Sequence, residues 1–201
     1  AKDRRQRQMC IRDRIYISYS TPKTQNRTYL YNIKTKEKKL VKEQIIPSGH
    51  EPNDYIVERL ECPSHDGRVV PITITRHKNT PIDGSAELLL YGYGSYGHSM
   101  SPTFSSTRLS LIKRNIIWAT AHIRGGMERG MKWWKEGKLL NKKNTFKDYI
   151  ACAKFLIEKK YTSKKKIIGM GGSAGGLLMG VVVNEEPDLF LGVIMAVPFV
   201  D

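Results

Sequence analysis

Residues 165–184 read KKIIGMGGSAGGLLMGVVVN, and the pentad Gly171-Gly172-Ser173-Ala174-Gly175 at the centre decides how the rest of the chain is read. The apolar run before the glycines has the length of a strand, and the apolar run after them that of a helix. A G-x-S-x-G in a strand-to-helix turn is a nucleophile elbow. The reason is steric. A serine at the tip of so tight a turn needs neighbours without side chains two positions before and two after, and Gly171 and Gly175 stand there. Its hydroxyl then sits at a helix N-terminus, where the aligned peptide dipoles favour developing negative charge. A phosphate loop could also use Gly169 and Gly171, but no Lys-Ser or Lys-Thr follows. Ser173 is therefore the candidate nucleophile. The backbone N–H of Ala174, the next residue, is the first candidate donor of an oxyanion hole.

The second donor of such a hole comes from a loop after an earlier strand. Residues 86–97, AELLLYGYGSYG, supply a strand and a glycine-rich loop. Gly92, Gly94 and Gly97 also spell G-x-G-x-x-G, the fingerprint of a dinucleotide-binding turn. That fingerprint must open a helix and meet an acidic residue at the end of the next strand. Here HSMSPTFSST follows, and the next strand, NIIWATAHI, runs out at His122 and Arg124. The glycines are better used to bring the backbone close to a reacting carbon. A tyrosine held in that loop can aim its O–H at a developing oxyanion.

The 201 residues are 40% hydrophobic, enough for one sizeable core or for a domain with part of another. No apolar run reaches the roughly 18 residues of a membrane span. The basic, polar N-terminus carries no visible signal peptide. Cys10, Cys62 and Cys152 are scattered, which argues against a disulfide scaffold and for a reducing, cytoplasmic compartment. The five histidines lie far apart and no Cys/His cluster has ligand spacing, so no metal and no cofactor is expected. The 34 basic and 19 acidic residues leave a net charge of +15. That balance raises a nucleic-acid-binding module as a different functional class. The lysines, however, fall in short runs at turns and helix ends (KTKEKK, NKKN, SKKK) without interleaved aromatics, as on a solvated surface. Neither nucleic acid nor membrane is an expected partner.

Residues 1–14, AKDRRQRQMCIRDR, carry charge without period and are read as a leader, non-native or disordered. From 15 to 45 apolar and aromatic residues alternate, at Ile15, Ile17 and Tyr19 and again at Tyr29, Tyr31 and Ile33. Period two predicts a small antiparallel meander, too small to stand alone and so part of a larger all-β unit. The Pro- and Gly-rich stretch IPSGHEPNDY marks a boundary. From 46 to 201 two strands, YIVERLECP and RVVPITITRH, precede alternating strands and helices, which predicts an α/β fold with a mostly parallel sheet. A long helix is expected over 144–160, with Phe146, Tyr149, Ile150, Ala153, Leu156 and Ile157 at helical spacing and Asn144 or Thr145 as its cap.

The blocks LLLYGYGSYG, AHIRGG, NTFKDYIACAKFLIEKKYTS, GGSAGGLLMG and PDLF…VPFVD occur in this order. Together they resemble the prolyl oligopeptidase family of serine peptidases, most of all its oligopeptidase B branch, over about residues 15–201. The resemblance implies an α/β-hydrolase fold, partial here, preceded by the last antiparallel strands of a β-propeller. Residues 15–45 would be the end of the last propeller blade and 46–201 the N-terminal part of the catalytic domain. By the family pattern Ser173 is the nucleophile, Tyr93 is the oxyanion donor beside the Ala174 N–H, and Tyr96 lines the primary substrate pocket. The implied activity is hydrolysis of short peptides after Arg or Lys through an acyl-enzyme. A prolyl- or acyl-aminoacyl-specific peptidase of the same family is the alternative.

Two features depart from that pattern. Hydrolases of this fold order their triad Ser, Asp, His, whereas His50, His65, His77, His98 and His122 all precede Ser173. The resemblance therefore puts the triad Asp and His beyond residue 201, and the 201-residue chain alone is expected to be inactive. Many bacterial members of the branch also carry two acids after the glycine loop that favour a second basic residue. Ser101 and Thr103 stand there instead, which removes the support for a dibasic preference. His122 lies in the wrong order to be the base. Arg124 and Glu128 are expected to form a structural ion pair.

Overall fold

The structure, a computed structural model, describes residues 13–199. The expected leader lies outside the described residues except for Asp13 and Arg14, and so do Cys10 and the last two residues of VPFVD. Contacts within the chain gather residues up to Asn53 with Pro102–Ser106 in one compact unit. Asp54–Ser101 and the residues from Thr107 onward form the other.

The first unit is built by the alternating segments. β1 (Arg14–Thr21), β2 (Thr24–Asn32) and β3 (Lys38–Glu43) form an antiparallel sheet in the order β1-β2-β3. The register sets Ile15 opposite Tyr31 and Ile17 opposite Tyr29, so the residues that repeat with period two share a face. Pro102–Ser106 is held in this unit, where the Phe104 N–H donates to Ser20 Oγ at 3.2 Å. The Phe104 ring also meets the His50 ring edge-on at 5.1 Å.

The second unit carries a six-stranded sheet made of β4 (Tyr55–Pro63), β5 (Val69–His77), β6 (Leu88–Tyr91), β7 (Ile117–Ala121), β8 (Ile167–Gly172) and β9 (Phe190–Ala196). Their spatial order is β4-β5-β7-β6-β8-β9. β4, β5 and β7 pair antiparallel, and β7, β6, β8 and β9 run parallel. The connections hold α1 (Ser106–Ile112), a short α2 (Met131–Lys135), α3 (Lys143–Glu158) and α4 (Ala174–Glu185). Leu88, Leu89 and Leu90 are all buried, the continuous apolar run of a parallel strand covered on both faces. Tyr149, Ala153 and Leu156 of α3 and Leu178, Met179 and Val182 of α4 join the same core. Tyr149 also donates its O–H to the Leu90 carbonyl at 2.6 Å, which ties α3 to the strand that feeds the glycine loop.

The cap expected for the long helix is not made. α3 begins at Lys143, after Lys142 with helical dihedrals and no side-chain cap bond. Asn144 and Thr145 therefore lie inside the first turn, where their side chains reach other segments. Asn144 Nδ2 donates to the Glu136 carbonyl at 2.9 Å, and Thr145 Oγ1 to the Arg124 carbonyl at 2.8 Å.

Candidate active site

β8 ends at Gly172 and α4 starts at Ala174, so Ser173 alone makes the turn between them. Its φ is +55° and its ψ −117°, a backbone conformation that residues with a β-carbon rarely adopt. Neighbours hold it there. The Ser173 N–H donates to the Ala196 carbonyl at 2.8 Å, and the Ser173 carbonyl accepts from the N–H groups of Gly176 at 2.9 Å and Phe199 at 3.0 Å. The steric demand on the flanking glycines is real: a β-carbon on Gly171 would lie 2.2 Å from the Gly175 carbonyl oxygen. The Ser173 side chain is exposed, while Ala174 is buried behind it. As the first residue of α4, Ala174 offers an N–H with no intrahelical acceptor.

The glycine loop packs against this elbow. Gly94, Tyr96 and Gly97 have φ values of +64°, +56° and +66°, and no helix opens until Ser106. The loop is thus not the start of a dinucleotide-binding helix. A β-carbon on Gly175 would lie 2.8 Å from the Gly92 carbonyl oxygen and 3.4 Å from Tyr93 Cδ2, so Tyr93 rests on the first turn of α4. The Tyr93 ring meets His98 edge-on at 5.5 Å. Tyr96 is exposed and shares with Ala174 a cleft of about 430 Å³, walled also by Trp134, Leu177 and Phe199. The four residues singled out in the sequence, Ser173, Ala174, Tyr93 and Tyr96, therefore come to one place. The loop is braced from behind by the Gly97 N–H on the Gly125 carbonyl at 2.9 Å. Lys142 Nζ donates to the Gly94 carbonyl and to Ser95 Oγ, both at 2.7 Å.

Arg124 does not pair with Glu128. It is 1% exposed and forks onto Asp148, with Nε 2.8 Å from Oδ2 and Nη2 2.6 Å from Oδ1. Nη1 reaches Asp66 Oδ2 at 2.6 Å, and Ser64 Oγ donates to Asp148 Oδ1 at 2.6 Å. Asp66 is held below the usual carboxylate range: burial pushes its pKa up, but the Arg124 guanidinium and the Arg68 N–H together outweigh that push. Glu128 goes elsewhere because the Gly125-Gly126 turn folds the chain back, with Gly125 at φ +95° and the Glu128 carboxylate tucked against Gly126. There it accepts the Met100 N–H at 2.9 Å and faces His122 Nδ1 at 3.4 Å. Burial raises the Glu128 pKa, and the adjacent His122 ring together with the bond from the Met100 N–H turns the net shift downward. His122 is 2% exposed, with Nε2 on Thr73 Oγ1 at 2.8 Å. Its ring belongs to this buried chain of contacts. Sequence reading missed Asp148, Asp66 and Lys142. Among the described residues, no cluster of His, Cys, Asp and Glu is placed to hold a metal ion.

Residues 102–201 match the prolyl oligopeptidase family. The chain belongs to that family. Dipeptidyl aminopeptidase BI of Pseudoxanthomonas mexicana is 46% identical over 92% of the chain and 25% of its own length. Protease 2 of Moraxella lacunata is 42% identical over 92% of the chain and 26% of its own length. Among solved structures, oligopeptidase B from Leishmania major superposes with a TM-score of 0.87 at 40% identity, over 94% of the chain and 26% of that protein. The chain spans about a quarter of the length of these relatives. The prolyl oligopeptidase family is one of serine peptidases, and its fold is the one described above: antiparallel propeller strands ahead of a mostly parallel α/β-hydrolase sheet. No helix among the described residues is long and apolar enough to cross a membrane.

Proposed function

We propose that this chain carries the nucleophile and the oxyanion hole of a serine oligopeptidase that hydrolyses short peptides after Arg or Lys. The observation that most supports this reading is an exposed Ser173 held at φ +55° between strand and helix, with the glycine loop packed on the same turn. Ser173 Oγ attacks the scissile carbonyl and gives its proton to a histidine base supplied by the rest of the enzyme. The carbonyl oxygen becomes an oxyanion and takes hydrogen bonds from the Ala174 N–H and the Tyr93 O–H. Collapse breaks the C–N bond. The amine leaves with the proton from the base, and the acyl group stays as an ester on Ser173. Water, deprotonated by the same base, then releases the acid and restores the serine.

Tyr96 would flank the substrate side chain next to the scissile bond. The charged side chains that line its cleft are Lys138 and Lys142. Selection of a basic substrate therefore rests on carboxylates that the family resemblance puts beyond residue 201, together with the triad Asp and His. For the same reason the 201-residue chain alone is proposed to turn nothing over. Peptides, rather than nucleic acid or membrane, are the proposed partners. The free, buried thiols of Cys62 and Cys152 fit the reducing cytoplasm we propose as the compartment.

A second reading takes its support from the relative named dipeptidyl aminopeptidase BI, at 46% identity. It keeps the chemistry and changes the substrate to peptides with a free N-terminus, cut two residues in. A panel of three fluorogenic substrates on the intact enzyme separates the readings: a blocked peptide ending in Arg, a blocked peptide ending in Pro, and a free-amine dipeptide. Fastest turnover of the blocked Arg substrate supports the proposal. Preference for the Pro substrate, or turnover of the free-amine dipeptide alone, moves the specificity. No turnover of any of them, by an enzyme whose Ser173 also resists a fluorophosphonate, overturns the peptidase reading.

A further inference from the structure

We infer that Lys142 is a positioning residue for the oxyanion hole, its ammonium fixing the Gly94–Ser95 link that aims Tyr93. The inference rests on the reading of Tyr93 as an oxyanion donor. Lys142 sits just ahead of α3, far from Tyr93 in sequence, and its side chain crosses to the glycine loop. There Nζ donates to the Gly94 carbonyl and to Ser95 Oγ, each at 2.7 Å. Tyr93 and Tyr96 lie immediately on either side of these two acceptors. A peptide unit held at Gly94 and Ser95 thus steadies the stretch of loop that carries Tyr93.

The slot around Gly94 shows why a strong donor is useful there. A β-carbon on Gly125 would lie 2.0 Å from the Gly94 carbonyl oxygen, so that carbonyl is pressed against the Gly125 backbone. A β-carbon on Gly94 itself would lie within 2.4 Å of Thr145 Cγ2 and 2.8 Å of Ile123 Cγ1. Gly94 holds φ +64° in this slot. Left without a donor, its buried carbonyl would be driven to rotate toward water, and the rotation would carry Tyr93 with it. A charged donor makes a stronger bond to a carbonyl than a neutral one, which suits a link under this constraint. Burial lowers the Lys142 pKa from 10.5 to about 8, so this lysine gives up hydration that an ordinary surface lysine keeps.

A role confined to holding α3 would lower stability and leave the oxyanion hole unaffected. A double-mutant cycle in the intact enzyme separates the two. Lys142→Met keeps the stem and removes the donors. It should lower kcat by about 10- to 100-fold, the scale of an ångström-size misplacement. In a Tyr93→Phe background the same substitution should cost almost nothing, because the donor it positions is already gone. Ser95→Ala removes one acceptor with a milder change to the fold. It should give a smaller loss of kcat that also vanishes with Tyr93→Phe. The inference is overturned, with the role of Tyr93 intact, if Tyr93→Phe lowers kcat while both Lys142→Met and Ser95→Ala leave it unchanged. It is overturned equally if their losses are the same in both backgrounds. An unchanged kcat in Tyr93→Phe alone would remove the oxyanion reading and this inference together.

Discussion

Replacing Gly171 by alanine should disable the elbow, and replacing the adjacent Gly172 should not. The new β-carbon on Gly171 would lie 2.2 Å from the Gly175 carbonyl oxygen, 2.6 Å from its carbonyl carbon and 3.0 Å from its Cα. All three atoms are backbone of the first turn of α4, so no rotamer change can make room. The oxygen falls 1.2 Å short of the 3.4 Å at which ordinary contact begins. The turn must open by about that distance, and Ser173 moves with it. An error of about 1 Å in a reacting group can cost about 100-fold in rate, and overpacking costs about 1–3 kcal/mol of stability besides. On Gly172 the nearest atoms to a new β-carbon are Ala196 O at 3.5 Å and Ala196 Cβ at 3.7 Å, which is ordinary contact. The assay is the second-order rate of labelling by a small fluorophosphonate in the intact enzyme, since it reports attack by the serine with little dependence on substrate side chains. Gly171→Ala should label about 100-fold more slowly than wild type, and Gly172→Ala at close to the wild-type rate. Equal rates for Gly171→Ala and wild type, with both proteins folded, would refute the steric account of the elbow.

Other outcomes follow from the buried charges and the loop. Asp148→Ala removes the fully buried partner of Arg124 and leaves its guanidinium with Asp66 alone, and chemical denaturation should show a loss of about 3 kcal/mol, the lower end of the cost of breaking a buried pair. Asp66, with its folded pKa below the unfolded value of about 3.9, stabilises the fold above that pH and loses the contribution as pH falls through the folded pKa. Stability measured from pH 5 down should therefore fall less steeply in Asp66→Asn, and an identical slope would remove Asp66 from the account. Tyr93→Phe should lower kcat by about 100- to 1,000-fold, the scale for loss of one oxyanion donor.

The elbow is legible in the sequence because its requirements are local. Gly171 and Gly175 must lack side chains for a turn made by one residue, and the apolar runs on both sides name the strand and the helix. The parallel sheet follows from the same alternation, and the inner face of α3 from the spacing of Tyr149, Ala153 and Leu156, all fully buried. What escaped depends on partners brought close only by folding. Asn144 and Thr145 look like caps, yet they bond Glu136 and Arg124 carbonyls that the fold brings to them. Arg124 and Glu128 lie four residues apart in sequence, but the Gly125-Gly126 turn sends their side chains to different partners. Asp148 left a readable trace: it shares the inner face with Thr145, Tyr149 and Cys152, where a carboxylate demands a cation. Lys142 left none, since within NKKN it is one more lysine until the glycine loop arrives beside it. α2 spans five residues, too few to display a period.

The central claim is that Ser173 attacks a carbonyl whose oxygen is received by Ala174 and Tyr93. The measurement that meets it most directly is a crystal structure of the intact enzyme inhibited by a peptide aldehyde ending in Arg. The account predicts a tetrahedral adduct bonded to Ser173 Oγ, with its oxygen about 2.7–3.1 Å from both the Ala174 nitrogen and the Tyr93 hydroxyl. An adduct on any other residue, or one on Ser173 whose oxygen faces neither donor, would contradict it.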